Sequence, residues 1–340
     1  MNRLIDLEPS DKIIVCRTDR IGDLILAVPF IETLKTRYPG VSVEVMASDY
    51  AAPILKYNPY VDAVFSIDHA LLKADVNYRK SFLKRLRESG YRVAAALYPE
   101  RHISFFLWKA AVPVRIGSGR RLHSIFFNRH LYHSRNAAEK HESEYNLDFL
   151  EFFKSGPLIK EPRLYLKPEE IKSAQALLTS KGIEPPFVVL HPGTGGSTET
   201  WPPDNFFALY SDLQKAGVQT LLTGSKAEIP MITDGARRAG IEPVSLAGET
   251  DLRSLAAVLS LADVVVANST GPLHLAAATG TRVVGLYPQR RVMAPLRWGP
   301  IGTGHCIIQP ERPAMGMNTI AVDKVRSAVL AKLKELSTAR

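Results

Sequence analysis

Short apolar runs alternate with segments of helical periodicity along the whole chain, and this alternation limits the folds open to it. In the first half, runs typical of buried strands occupy residues 12–17, 41–46, 63–67, 93–97 and 114–116. After residue 165 the pattern restarts, with runs at 187–191, 218–225, 244–248, 263–267 and 282–287. Strands that alternate with helices indicate parallel, doubly wound sheets. We therefore predict an α/β protein with two such domains, residues 1–160 and 161–340.

Helical segments separate these runs, and several of them end at a glycine. Gly90, Gly217 and Gly240 each follow such a segment, where glycine commonly ends a helix. Residues 120–140 are polar, basic and poorly periodic, so we predict a functional loop or short irregular elements there. For the last predicted helix, residues 322–336, we consider an arrangement in which it packs back on the N-terminal domain. The predicted helices span 24–38, 51–57, 78–89, 103–111, 142–153, 168–181, 205–216, 229–239, 252–261 and 322–336.

Ligands of open α/β sheets bind at the carboxyl ends of the strands, so the loops there are the first candidates for a site. The loop after the first predicted strand, residues 17–23, has one glycine and is therefore not a dinucleotide fingerprint. It contains Thr18, Arg20, Gly22 and Asp23. Asp23 has two interpretations: it caps the following helix, or it is a general base at the cleft.

A second loop follows the strand 187–191 and is rich in glycine and hydroxyl groups. Backbone N–H groups with the hydroxyls of Thr194, Ser197 and Thr198 would suit phosphate or sugar oxygens. The alternative is a simple flexible turn. Gly224 and Ser225 end the next strand and are further candidates for a nucleotide pocket.

A third loop begins after the apolar run 263–267 and leads into a helix. Ser269, Thr270, Gly271 and Pro272 form a small-residue turn, and a helix N-terminus of this kind binds phosphate. His274 lies one turn inside the helix. Because a lone histidine on an apolar helix is often a core residue, both a buried and a catalytic role remain open for it.

The net charge of +9 is concentrated in one segment. Residues 115–141 combine arginines and histidines with aromatic side chains, which suits nucleic acid, anionic lipid or phosphorylated substrates, or is a plain solvated face. Zinc-finger spacing and RNA-binding signatures are lacking, which argues against nucleic acid. The sequence contains no Asp-x-Asp pair, so we predict no metal site. Cys16 and Cys306 are too far apart to suggest a disulfide framework.

The sequence also bears on location. No apolar run approaches the length of a membrane span, and the N-terminus lacks the apolar core of a signal peptide. We expect a cytoplasmic protein.

Together these motifs resemble those of the ADP-heptose:lipopolysaccharide heptosyltransferases, glycosyltransferase family nine. The resemblance covers about residues 12–330, and its motifs occur in order along the chain. They are residues 17–29, 140–147, His191-Pro-Gly193 with Trp201-Pro202, 246–252 and 269–278.

The resemblance implies a GT-B fold, in which two Rossmann-like domains face an interdomain cleft, with the acceptor on the first domain and the nucleotide sugar on the second. It implies an inverting, metal-independent transfer of heptose from ADP-heptose to the lipopolysaccharide inner core, and no cofactor beyond the nucleotide sugar. Asp23 matches the catalytic base. N–H groups near Thr270 and Gly271, with His274 nearby, would stabilise the leaving diphosphate.

The resemblance divides the candidate residues between the two substrates. The donor-binding set is Gly193, Thr194, Ser197, Thr198, Gly224, Ser225, Ser269, Thr270, Gly271, Pro272 and His274. The acceptor set is Thr18, Arg20, Gly22, Arg120, Arg121 and Arg129, whose cations suit the carboxylates and phosphates of the inner core. A positive face would also hold the protein peripherally at the anionic leaflet of the inner membrane.

Two positions depart from the family pattern. Many relatives carry an aspartate where Ser269 stands, but members with Asn-Ser-Thr-Gly at this place are also familiar, so this change weighs less than the other. Glu199 stands where the family commonly has a lysine, two residues before Trp201. Either another cation serves, or the donor is handled differently, or activity is weak. The alternatives are a relative that uses another nucleotide sugar or glycan acceptor, a nucleotide-sugar epimerase on the same architecture, and a catalytically weak nucleotide-sugar-binding protein.

Overall fold

The computed structural model describes residues 4–98, 100–196 and 198–338. It contains two compact units, Met1–Tyr165 and Leu166–Arg340. Each is built on its own parallel sheet, and each is described separately below.

A six-stranded sheet forms the centre of the first unit. Its order is β3-β2-β1-β4-β5-β6, and every neighbouring pair is parallel. The chain leaves β1 toward one edge and returns to β4 on its other side, so the switch point lies between β1 and β4. The strands are β1 Lys12–Cys16, β2 Ser42–Ser48, β3 Ala63–Ile67, β4 Val93–Ala96, β5 Val114–Ser118 and β6 Arg129–Leu131.

Helices cover both faces of this sheet, which is why its central strands are apolar throughout and buried. Ile14, Ala94 and Phe106 belong to one core cluster beneath α4 and α5. The helices are α1 Ile21–Ile25, α2 Val28–Arg37, α3 His69–Ala74, α4 Val76–Glu88, α5 Arg101–Lys109 and α6 Glu142–Leu147, with 3₁₀ turns at Ala52–Leu55, Leu122–Phe126, Arg135–Ala137 and Asp148–Phe152.

The second unit has a five-stranded parallel sheet in the order β11-β10-β9-β7-β8. Here the switch point lies between β7 and β9. The strands are β7 Phe187–His191, β8 Gln219–Leu222, β9 Val264–Asn268, β10 Arg282–Leu286 and β11 Cys306–Ile308. The helices are α7 Pro168–Ser180, α8 Pro203–Lys215, α9 Ile229–Ala239, α10 Leu252–Leu261, α11 Gly271–Ala278, α12 Pro295–Trp298 and α13 Val322–Ser337, with 3₁₀ turns at Lys226–Glu228, Arg291–Met293 and Met317–Thr319.

The last helix, α13, packs within the second unit. Val325 and Val329 are fully buried in the same core cluster as Phe206 and Trp201. Arg282 Nη1 also donates to the backbone oxygen of Lys332 at 3.2 Å. These contacts hold α13 against α8, β9 and β10.

The predicted helix 24–38 is two helices. It begins earlier, at Ile21, and breaks at Leu26–Ala27 before continuing as α2. Pro29 explains the break, because proline has no N–H to donate to Ile25 and its ring crowds that carbonyl. It is tolerated in the first turn of α2, where the N–H has no intrahelical partner anyway.

Further elements differ from the sequence-based expectation, among them the predicted helix 51–57, which is the 3₁₀ turn Ala52–Leu55, and α12, which was not predicted. The predicted strand 244–248 is wrong: it forms only an isolated bridge between Ser245 and Leu222. Helix α3 was not predicted, although Asp68 caps its first turn by accepting from the N–H groups of Ala70 and Leu71. The short edge strands β6 and β11, three residues each, were also not predicted, because so few residues show no alternation.

Both cysteines are free thiols. Cys16 ends β1 and is buried, and burial raises the pKa of its thiol. Cys306 begins β11 at the edge of the other sheet and is half-buried.

Candidate active site

The switch point of the first sheet carries the loops that follow β1 and β4. Thr18, just after β1, donates from Oγ1 to Glu100 Oε1 at 2.7 Å, and Glu100 lies just after β4. His69 Nε2 lies 2.8 Å from the backbone oxygen of Thr18. The two loops are therefore joined at the position where open parallel sheets bind ligands.

Asp23 lies in the first turn of α1 and is 9% exposed. The N-cap of this helix is Arg20, whose side chain makes no capping bond, so Asp23 does not cap α1. Instead, Asp23 Oδ1 accepts from Arg17 Nη2 at 2.5 Å. Gly22, directly before it, is also buried. A carboxylate is thus fixed at the switch point by a buried guanidinium.

Arg17 is the centre of a buried charge network. Its Nε donates to Asp19 Oδ1 at 2.8 Å, and its Nη1 donates to Glu142 Oε1 at 3.0 Å. Nη1 also donates to Asn146 Oδ1 at 2.9 Å. Because Arg17 is 1% exposed and contacts three carboxylates, its geometry is determined from several sides.

A second guanidinium, that of Arg135, completes this network. It forms an ion pair with Glu142 and donates from Nη2 to the backbone oxygen of Leu97 at 2.7 Å, at the end of β4. The same Nη2 donates to Asn146 Oδ1 at 3.1 Å. Glu142 and Asn146 are fully buried in α6, so the network ties α6 to the ends of β1 and β4.

The network shifts two ionisation equilibria. Burial raises the pKa of Asp19 to about 7, and the neighbouring Asp23 charge adds to the rise, while Arg17 opposes it. For Arg17, burial favours the neutral form, but the charges of Asp19 and Asp23 outweigh it and raise the pKa. Near neutral pH, Arg17 is therefore charged and Asp19 is close to half-protonated.

The acceptor candidates fall in two places. Thr18, Arg20 and Gly22 lie beside Asp23, whereas the arginines 120, 121 and 129 lie near the β6 edge. Arg120 and Arg121 are exposed just before the 3₁₀ turn Leu122–Phe126, and Arg129 begins β6 and donates to the backbone oxygen of Asn128 at 3.1 Å. β6 is three strands from β1, about 14 Å at the usual strand spacing.

In the second unit, Asn268 joins the two loops at the switch point. It is fully buried at the end of β9. Its Oδ1 accepts from the Trp201 N–H at 2.9 Å, and its Nδ2 donates to the backbone oxygen of Pro192 at 3.2 Å. The buried Trp201 indole donates to the backbone oxygen of Ile320 at 2.9 Å. One amide side chain therefore fixes both ends of the loop after β7.

Helix α11 begins where the sequence predicts. Thr270 is its N-cap and Gly271 its first residue, with Pro272 next and His274 in the first turn. Thr270 Oγ1 donates to the backbone oxygen of Asn268 at 3.1 Å, and the N–H of Ser269 donates to the backbone oxygen of Leu286 at 3.1 Å. His274 is 4% exposed. The Asn268 side chain thus holds this helix start beside the loop after β7.

Glu228 lies against the loop after β7, and the sequence analysis did not single it out. A Cβ added at Gly193 would overlap its carboxylate, so a larger residue there would require the Glu228 side chain to move. Glu228 Oε2 accepts from the Ser225 N–H at 2.7 Å and from Ser225 Oγ at 2.9 Å, and Gly224 packs beside it. The signal was present as a capping box, Ser225 with Glu228 three residues later.

The ends of β7 and β8 are also joined through His191. Its Nδ1 lies 3.0 Å from Thr223 Oγ1. Burial lowers the pKa of His191, although the Glu228 charge opposes this, so the ring is neutral at pH 7.

Two hydroxyls of the loop after β7 differ in their surroundings. Thr194 Oγ1 accepts from the Gly196 N–H at 3.3 Å, within the loop. Thr198 Oγ1 is buried and has no hydrogen-bond partner among the residues that the structure describes. Buried polar atoms without a partner are rare, and such an atom is a candidate for contact with a ligand. Ser197 lies outside the described residues.

Glu199 forms an ion pair with Arg290 in the same unit, Nη1 to Oε1 at 3.1 Å. Arg290 comes from the loop after β10, and both side chains are partly exposed, 63% for Arg290 and 37% for Glu199. The carboxylate that departs from the family pattern is therefore accompanied by a guanidinium.

Within residues 4–98, 100–196 and 198–338, no group of three or more His, Cys, Asp or Glu side chains is placed to hold a metal ion. Within the same ranges, no helix combines the length and apolarity that a bilayer crossing requires.

Comparison with known proteins identifies this architecture. The class is that of glycosyltransferases with two parallel-sheet domains, the GT-B fold. An ADP-heptose lipopolysaccharide heptosyltransferase II of Escherichia coli shares the fold, with a TM-score of 0.80 at 21% identity over 96% of this chain and 99% of that one.

The family follows from sequence. The model of glycosyltransferase family 9 (heptosyltransferase) matches residues 79–319, and the chain belongs to this family. Lipopolysaccharide heptosyltransferase 2 of Salmonella typhimurium is 25% identical, covering 96% of this chain and 98% of that one. Lipopolysaccharide heptosyltransferase 3 of Escherichia coli K12 is 26% identical, covering 78% and 79%. The protein is therefore a glycosyl-transferring enzyme.

Proposed function

We propose that this enzyme transfers a heptose from ADP-heptose to a lipopolysaccharide inner-core acceptor, with inversion and with Asp23 as the general base. The observation that carries the proposal is the Asp23 carboxylate, fixed by the buried Arg17 at the switch point of the first sheet. The family and its heptosyltransferase relatives support the choice of sugar.

Three features of the second unit support a nucleotide diphosphate as the donor's leaving group. The start of α11 presents backbone N–H groups at the positive end of a helix dipole. The Asn268 bonds hold the loop after β7 beside it. Thr198 Oγ1 is a buried hydroxyl that a phosphate oxygen would satisfy. Ser269, Thr270 and Gly271 are the residues we assign to the diphosphate.

Arg290 is our candidate for the cation that the family pattern places at position 199. A carboxylate at position 199 repels phosphate, but the guanidinium bound to it neutralises that charge and adds N–H donors in the same place. Guanidinium groups bind phosphate in a bidentate manner, so Arg290 suits the role that the resemblance gives to a lysine. Of the three explanations for Glu199, we favour the one in which another cation serves.

The reaction then follows from the charges. Asp23 takes the proton of the acceptor hydroxyl while that oxygen bonds to the anomeric carbon. The bond between this carbon and the diphosphate oxygen breaks from the opposite face, and the diphosphate leaves with the electron pair. The α11 N-terminus and Arg290 stabilise the charge that develops there.

On the acceptor side, we assign Thr18, Arg20 and Gly22 to the region near the reacting hydroxyl because they adjoin Asp23. Arg120, Arg121 and Arg129 are assigned to anionic groups farther along the acceptor because β6 lies about 14 Å from β1.

Isothermal titration calorimetry with ADP-heptose, a GDP-sugar and a UDP-sugar tests the donor assignment. We expect ADP-heptose to bind and ADP to compete with it. Arg290→Gln should weaken binding about tenfold, the loss of one charge-assisted hydrogen bond. Arg237→Gln, which removes another exposed and paired arginine of the same unit, should leave affinity unchanged. No binding of ADP-heptose would exclude our donor.

Transfer is tested separately, by mass spectrometry of heptose-free core oligosaccharides incubated with enzyme and donor. The proposal predicts a mass increase of one heptose with release of ADP. Donor binding without transfer to any core acceptor would instead favour the binding-protein alternative.

A further inference from the structure

Residues 101–138 contain no Asp or Glu, although the chain has 34 acidic residues. The same 38 residues contain seven Lys or Arg, which equals most of the net charge of +9. Arg115 and Arg135 are used inside the fold, since Arg115 Nε donates to the backbone oxygen of Phe126 and Arg135 bonds in the Arg17 network. The outward cations are Arg101, Lys109, Arg120, Arg121 and the half-buried Arg129.

Two aliphatic side chains project from the middle of this acid-free segment. Leu122 is 96% exposed and Ile125 is 76% exposed, the two highest values among the exposed large hydrophobic residues described. Both lie on the 3₁₀ turn Leu122–Phe126, and residues three apart on such a turn point in the same direction. They therefore form one apolar projection directly after Arg120 and Arg121.

The projection stands on a packed aromatic base. The rings of Phe105, Trp108 and Phe126 contact one another, with centroids 5.5 to 5.9 Å apart. Beneath them Phe127 is buried against Gly117 of β5, which leaves no room for a side chain there. Trp108 is 49% exposed, so its ring is at once part of the base and accessible from outside. The apolar projection is thus held rigidly rather than on a long loop.

We propose that this surface docks on an anionic phospholipid bilayer, with Leu122 and Ile125 inserted below the headgroups. We call it the basic apolar patch, defined as Arg120, Arg121, Leu122, Ile125 and Trp108. Basic residues around an apolar tip are the combination that surface-bound proteins use, because cations bind anionic headgroups while aliphatic side chains enter the acyl boundary. Tryptophan suits the interface between the two.

Charge separates this occupant from the alternatives. A second copy of the chain would bring the same cations against each other, which like charges disfavour. Nucleic acid would satisfy the cations but leave Leu122 and Ile125 in water. A bilayer with acidic headgroups satisfies both parts of the patch.

The docking is independent of the chemistry at Asp23, and it shares with the proposed function only Arg120 and Arg121, which are also assigned to anionic groups of the acceptor. The inserting residues Leu122 and Ile125 lie outside the donor and acceptor sets. Their replacement therefore tests docking without touching the proposed catalytic machinery.

The test is co-sedimentation of the full-length enzyme with large unilamellar vesicles, either pure phosphatidylcholine or phosphatidylcholine with 30% phosphatidylglycerol. We expect binding to the anionic vesicles that is at least ~10-fold stronger than to the neutral ones and that falls with added salt. Leu122→Ser with Ile125→Ser should weaken binding to anionic vesicles by ~10-fold or more. The control, Leu71→Ser with Leu158→Ser, removes two exposed leucines of the same unit and should change binding less than twofold.

Insertion depth is measured with brominated acyl chains, which quench a tryptophan in contact with them. We expect quenching of the wild-type enzyme and its loss in Trp108→Phe. Absence of binding to anionic vesicles would overturn the proposal, and so would unchanged binding of the Leu122/Ile125 double variant, which would mean attraction without insertion. Calorimetry of that variant with ADP-heptose separates the two proposals, because it should bind donor as the wild type does whether or not transfer occurs.

Discussion

The two switch points of this enzyme are built from different chemistry. At the first, two guanidiniums and three carboxylates are packed together around Arg17, and their charges fix one another. At the second, the loops are joined by the neutral side chain of Asn268, by the neutral His191 with Thr223, and by backbone groups. The same arrangement of parallel strands therefore carries a charged site in one unit and a largely uncharged framework in the other.

This difference matches what each edge would have to do. Removing a proton from a hydroxyl needs an ionisable carboxylate whose position and charge are controlled, and a buried network of ion pairs provides that control. Binding a diphosphate needs donors that are already oriented, and backbone N–H groups provide them without the cost of burying a charge. The predictions below test this division.

The largest effect is expected at Asp23. Asp23→Asn keeps the shape of the side chain but cannot accept the acceptor's proton. Transfer should fall by ~10²- to 10⁴-fold, the usual contribution of a general base, with donor affinity unchanged. The measurement is the initial rate of ADP release with saturating substrates. Asp234→Asn, an exposed aspartate of the second unit, is the control, and a wild-type rate in Asp23→Asn would refute its role.

The charged framework should be fragile when its centre is removed. Arg17→Met leaves the carboxylates of Asp19, Asp23 and Glu142 without their shared partner, and breaking a buried ion pair costs about 3–5 kcal/mol. Urea denaturation would measure this loss in the free energy of unfolding. Arg326→Met removes an exposed ion pair and should cost less than about 1 kcal/mol. Equal losses in the two variants would show that Arg17 does not stabilise the fold.

Removing the centre of the uncharged framework should lower the free energy of unfolding by a smaller amount. Asn268→Ala leaves the Trp201 N–H and the Pro192 carbonyl unpaired inside the protein, with an expected cost of about 2 kcal/mol. Because both ends of the loop after β7 are released, the affinity for ADP should fall as well. Calorimetry and urea denaturation test the two effects, with the exposed Asn318→Ala as control. A variant that is destabilised but binds ADP normally would separate the loop from donor binding.

The smallest effect, taken per pH unit, concerns the dependence of stability on Asp19. Its pKa is about 7 in the folded state against an ordinary value near 4, so the folded state binds a proton that the unfolded state has lost. This contribution to stability is complete below pH 4 and is lost as the pH rises to about 7. The free energy of unfolding of Asp19→Asn should therefore rise relative to that of the wild type as the pH increases, by at most about 1.4 kcal/mol per pH unit. A difference between the two proteins that stays constant from pH 4 to 8 would contradict the shift.

The sequence predicted the regular parts of the fold because their signals are local. Nearly every long strand and helix follows from apolar periodicity and a cap, and the helix start at Thr270 and Gly271 is confirmed. The prediction of a strand at 244–248 failed for a reason that lies outside the segment. Its apolar residues lie beside β8 but pair with it at one bridge only. Edge strands such as β6 depend on a neighbour that a local pattern does not reveal.

The site was harder to predict than the fold because its contacts span long separations. Asp23 was found from its loop, but its partner Arg17 is held in turn by Glu142 and Asn146, which lie more than a hundred residues away. Asn268 directly precedes the turn predicted at Ser269, but its role depends on Trp201 and Pro192, which are distant in sequence. Arg290 was missed because nothing near it in sequence marks it, and only folding brings it to Glu199.

The two free thiols give each unit its own chemical reporter. Cys16 ends the central strand of the first sheet and is 2% exposed, so a maleimide reaches it only when that sheet opens. Cys306 begins the edge strand β11 of the second sheet and is half-buried, so the fraying of a three-residue strand exposes it. The slow and the fast labelling rates of one unmodified protein would then report the opening of the two sheets separately, without a tag or a mutation.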